Sequence, residues 1–89
     1  MTTKTHHPPR PAMDTHGLAI GDTVRMTERW IVSSNETIRP LLRSQRGRIA
    51  RFDWDYLDGA WYLFADVNWQ PEQRLSGLMW IENIERTDV

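Results

Sequence analysis

The chain has 89 residues, 11 basic and 12 acidic side chains, a formal charge of −1 and no cysteine. That length fits one small domain, and the missing thiols exclude disulfide staples and thiolate-held metals. No stretch is apolar for long enough to suggest a membrane span or a signal-peptide core, so the expectation is a cytoplasmic protein with no membrane partner and no cofactor.

Residues 1–16 carry three prolines and almost no bulky apolar side chain, which reads as a disordered N-terminal arm, with His6-His7 as polar tail rather than metal ligands. Residues 17–89 form the single folded domain. Leu18 to Met26 predicts the first strand, with a turn at Gly21-Asp22 and with Ile20, Val24 and Met26 facing inward. Trp30-Ile31-Val32 then runs into Ser33-Ser34-Asn35-Glu36, a loop signal, and Pro40 argues against a helix through 36–44. The segment 33–46 is therefore expected to be a long loop after the first strand. A second strand starts after Gly47 and carries Ile49, Phe52 and Trp54. The spacing of Ile49 and Phe52 breaks strict alternation and predicts a bulge near Ala50-Arg51.

Asp58-Gly59 is a strong hairpin turn. The third strand alternates cleanly, with Trp61, Leu63, Ala65, Val67 and Trp69 on the core side and Tyr62, Phe64, Asp66 and Asn68 on the other. Gln70-Pro71-Glu72-Gln73 turns the chain into a fourth strand, Leu75 to Ile81. Glu82-Asn83 suits one helical turn before a short closing strand, Ile84 to Thr87. The whole predicts an all-β fold, a small five-stranded barrel without a sustained helix.

Charge is divided along the chain. Residues 1–51 hold nine basic groups against four acids, and residues 52–89 hold two against eight. Arg39, Arg43, Arg46, Arg48 and Arg51 follow one another with no acid between them. Guanidinium groups neutralise phosphate and exposed rings stack on unpaired bases, so this run with neighbouring Trp54 is a candidate nucleic-acid-binding segment. The competing expectation is that the acidic second half folds back to pair with these arginines. Tyr62 and Phe64, opposite the predicted core face, need a cover: the 33–46 loop, a protein partner or a second copy in a homodimer. Together with Trp80 they are the candidate anchors for a protein complex.

Gly21-Asp22-x-Val24-Arg25, Gly47-Arg48-Ile49, Val67-x-Trp69 and Trp80-Ile81-Glu82-x-Ile84-Glu85 together resemble the SH3-like small barrels over about residues 18–87. The pattern is similar to KOW-type modules of ribosomal and transcription proteins and to accessory barrels of electron-transfer complexes. The resemblance implies a binding scaffold. A dihydrofolate reductase family of the same architecture depends on a Gln-Ile-Tyr run where this chain has Leu78-Met79-Trp80, so its activity does not carry over. The functional expectation is a non-catalytic module that binds nucleic acid or nucleoprotein through Arg39–Arg51. The alternative is a docking accessory or inhibitor subunit of a larger complex.

Overall fold

Strict alternation in the middle of the chain produces the dominant element, a long hairpin of β2 (Arg46–Leu57) and β3 (Ala60–Gln70). In the computed structural model, which describes residues 8–88, the two strands pair antiparallel from Arg46↔Gln70 to Leu57↔Ala60. The register slips once, between Ile49 and Arg51, which is the bulge that the spacing of Ile49 and Phe52 requires. The turn is made by Asp58 at φ 50° and Gly59 at φ 83°. Both are left-handed, as a two-residue hairpin turn matched to strand twist demands. His6 and His7 lie outside the described residues.

Three short strands complete an antiparallel sheet in the order β4-β3-β2-β1-β5, with β1 at Thr23–Met26, β4 at Leu78–Trp80 and β5 at Ile84–Arg86. The two edge strands are not hydrogen-bonded to one another among the described residues, so the sheet is open. The first strand is shorter than expected. Asp22 Oδ2 accepts the Ala19 N–H at 2.9 Å, which closes a turn over residues 19–22 and leaves Ile20 65% exposed instead of inward. A tight helical turn, Ile81–Asn83, joins β4 to β5 where one was expected.

Two short helices stand where a loop was predicted, α1 (Glu28–Val32) and α2 (Arg39–Ser44). Thr27 caps the first by accepting the Trp30 N–H on its hydroxyl at 3.3 Å, and Ser33 closes it by donating to the Trp30 carbonyl at 2.6 Å. Pro40 lies in the first turn of α2, where no N–H partner is needed, so it starts the helix that it was expected to prevent. Helices of five and six residues do not persist alone. They are held by Ile31 and Leu42, which join Val24, Met26, Ile49, Val67, Trp69 and Met79 in the core.

Gln45 follows α2 with its side chain wholly buried. Its Nε2 donates to the Leu41 carbonyl at 3.1 Å, and its Oε1 accepts the Glu72 N–H at 2.9 Å, tying α2 to the loop after β3. Among the described residues no helix is long and apolar enough to cross a membrane.

Candidate functional site

Alternation along β2 and β3 puts two sets of aromatic side chains on opposite faces. On the outer face the register aligns Phe64 with Asp53 on one side and Trp80 on the other, and Asp66 with Arg51 and Leu78. Tyr62 and Trp80 stack in parallel, their ring centroids 4.7 Å apart and their planes 11° from coplanar. The Arg51 guanidinium lies 5.8 Å from the centroid of Phe64 and bridges Asp53 at 2.9 Å and Asp66 at 3.5 Å. Leu78 is 55% exposed beside them and Trp80 36%. Trp30 of α1 approaches from the side, and with Leu78, Met79, Trp80 and Asn83 it lines an apolar cleft of about 280 Å³. Tyr62, Phe64 and Trp80 thus lie together on this face, each partly covered by a neighbour.

The arginine run does not form one unoccupied patch. Arg43 grips Glu28 with Nε and a terminal nitrogen at 3.0 and 2.9 Å, and this holds the Glu28 carboxyl below its ordinary range. Arg39 donates to the carbonyls of Val32 at 2.9 Å and Ser34 at 3.2 Å, satisfying the C-terminal end of α1. Arg46 donates to the carbonyls of Arg43 and Gln45 at 3.0 and 2.8 Å. Arg51 is held by two carboxylates, as above. The Trp54 backbone N–H first, and Arg51 second, keep Asp53 ionised below the usual carboxylate range. Arg48 alone in the run is exposed with no hydrogen bond or ion pair among the described residues. Of the run it is Arg51 that meets acids of the second half; elsewhere Glu85 pairs with Arg25 at 2.7 Å, while Arg86 pairs with Asp22 of the first half at 2.9 Å.

Trp54 belongs to the other face. It sits opposite Leu63 and packs against the core, so it does not join Arg48 and Arg51. Beyond it, toward the hairpin tip, lie two rings that the sequence reading did not single out as a site. Trp61 meets Trp54 edge-on at 6.2 Å and Tyr56 at 4.9 Å. The N-terminal arm crosses this cluster: Trp61 Nε1 donates to the Pro8 carbonyl at 2.7 Å, and the Arg10 guanidinium stands 5.9 Å from the Trp61 ring centroid. The sequence signal was the coincidence of Pro8-Pro9-Arg10-Pro11 with an aromatic-rich hairpin, two features 53 residues apart. Trp30 was hidden in the short apolar run Trp30-Ile31-Val32, which gave only a loop signal after it.

Ser33 and Ser34, the only adjacent hydroxyl pair in that loop, spend their side chains on the Trp30 carbonyl at the end of α1. Among the described residues no group of three His, Asp or Glu side chains is placed to hold a metal ion. No family model, curated protein or solved structure matches the chain. Its fold and surfaces define a small β-rich domain with an aromatic patch on each side of one long hairpin.

Proposed function

We propose that the chain is a non-catalytic docking module that binds a protein partner through the outer face formed by Tyr62, Phe64, Leu78 and Trp80. The observation that carries this reading is the Tyr62–Trp80 stack, continuous with exposed Leu78 and the cleft beside Trp30. Aromatic anchors within a polar rim are the usual anatomy of a protein interface. The rim sets three acids, Asp53, Asp55 and Asp66, against one base, Arg51, which bridges Asp53 and Asp66, so it keeps a net negative charge. Such a rim favours a basic partner and opposes a phosphate backbone. The strand order and the helical turn before β5 support an SH3-like barrel as the scaffold.

A second reading, nucleic-acid binding, is favoured by Arg48. With Arg46, Asn68 and Gln70 it lines a shallow recess of about 190 Å³ at the end of the sheet away from the acidic rim. It is the weaker reading because Arg39, Arg43 and Arg51 are already engaged.

Chemical cross-linking and co-purification from cell extract, compared between the parent and single variants, separate the two. Trp80→Ala should lose the bound protein, since truncating such an anchor costs about 2 kcal/mol or more of binding energy. Arg48→Ala should keep it. If instead a mixed-sequence oligonucleotide binds with a steep salt dependence that Arg48→Ala flattens, and Trp80→Ala changes no protein contact, the docking reading is wrong.

A further inference from the structure

We propose that the groove at the free end of the β2–β3 hairpin recognises extended, proline-rich segments bearing an arginine, and that the chain's own arm holds it in a self-occupied state. The groove borders the outer face and shares Tyr62 and Trp80 with it, but its central ring is Trp61 and the proposal does not rest on the docking reading. Pairing of β1 with β2 stops at Thr23↔Arg48, so beyond the bulge β2 has no strand along its free edge among the described residues, and past the core residues Ala65 and Leu63 the inner face opens toward the hairpin tip. Trp54, Tyr56 and Trp61 project from that face. Pro8, Arg10 and Pro11 lie across them.

Each contact matches the chemistry of the segment that makes it. Proline has no N–H and a fixed φ, so a proline-rich stretch is extended before it binds and offers carbonyls that its own backbone does not satisfy. An indole N–H is a donor with no acceptor function, and Trp61 gives it to the Pro8 carbonyl at 2.7 Å. The Arg10 guanidinium faces the same indole ring at 5.9 Å, the arrangement of a cation held by an aromatic quadrupole. Its charge also reaches Asp53, where it adds to the groups that keep that carboxyl ionised. Pro11 and Ala12 continue along a groove of about 320 Å³ whose walls include Trp54, Leu63, Ile81 and Glu82.

The arm is a removable occupant. Residues 8–14 are exposed throughout, and the first core side chain is Leu18. Departure of the arm therefore takes nothing from the core and uncovers a groove already shaped for its chemistry. A segment of the same kind from another protein competes with the arm, and its apparent affinity is reduced by the fraction of molecules in which the arm is seated.

A fluorescent peptide with the sequence of residues 5–14 serves as the probe, titrated against the full chain by anisotropy. Arg10→Glu with Pro11→Gly in the full chain weakens the arm without touching the domain. This variant should bind the probe at least about tenfold more tightly than the parent does. Adding Trp61→Phe to the arm variant keeps a ring but removes the N–H, and should weaken binding by about tenfold. A thermal melt establishes that this variant is folded, and the Trp61 indole N–H resonance of the arm variant should shift on adding probe. Equal affinity for the parent and the arm variant overturns the proposal. So does absence of binding to the arm variant, or binding that Trp61→Phe leaves unchanged.

Discussion

Gly47→Ala tests how the sheet is assembled at its most crowded point. Gly47 lies opposite Trp69 on β3, and both Val67 and Trp69 are 2% exposed. A methyl group on its Cα would stand 2.7 Å from Trp69 Cε3, and nearer still to Val67 Cγ1. Carbon atoms pack at about 3.5–4.0 Å, so Trp69 must retreat by roughly an ångström and Val67 by more than that inside a filled core. Overpacking of this kind costs about 1–3 kcal/mol, and two simultaneous collisions place this site near the upper end. Restriction of the unfolded chain returns about 0.4–1 kcal/mol. The net loss is about 2 kcal/mol, which lowers the melting temperature of a domain this size by roughly 8–16 °C. Thermal unfolding followed by circular dichroism measures it. Val67→Ala opens room on one side, so the double variant should be more stable than the sum of the two single losses by about 1 kcal/mol. A Gly47→Ala protein that melts within about 2 °C of the parent, or strict additivity with Val67→Ala, refutes the reasoning.

Two further outcomes follow from polar groups. Gln45→Met preserves side-chain length but leaves the Glu72 N–H without its partner, while the Leu41 carbonyl keeps the Ser44 hydroxyl at 2.7 Å, and should lower stability by about 1–2 kcal/mol, read as a shifted urea midpoint at constant slope. Glu72 is lowered from 4.5 to about 2, first by its side-chain hydrogen bonds from Arg74. Because the folded value lies below the unfolded one, its stabilisation is present above pH 4.5 and is lost as the pH falls toward 2. Melting temperatures across that window should fall less steeply in Glu72→Gln than in the parent. The difference should be small and should shrink in high salt, since the pair is exposed.

The long hairpin was legible because a two-residue period, an Asp-Gly turn and one broken spacing each have a single structural solution. The same bulge, followed one step further, also carries Trp54 to the inner face, because Phe52 and Trp54 are two apart on one strand. The helices were not legible. Their apolar residues are β-branched or interrupted by proline, and what fixes them is capping by Thr27, Ser33 and Ser34 together with burial of Ile31 and Leu42. The arginine run was visible as composition. Which of its members meet acids was decided by long-range pairing, as with Arg43 and Glu28 across two helices. The outer aromatic patch was half legible: strand alternation named Tyr62 and Phe64, while Trp30 and the seat of the arm depend on contacts that no local pattern announces.

The unequal lengths of the strands divide the molecule into two tiers. β2 has 12 residues and β3 has 11, yet β1 pairs with β2 only at residues 47–48 and β4 with β3 only at residues 64–66. Past Trp54 and Leu63, which still pack on the core, the hairpin runs to its turn as a two-strand ribbon with no lateral strand on either side among the described residues. Ribbons of that kind are barely stable in isolation, and they open locally at a lower free energy than a packed core. The order of the tip is therefore set by whatever lies on Tyr56 and Trp61, and the body of the domain is not asked to change. The tip behaves as a cooperative unit of its own, anchored at one end and stiffened by its cargo.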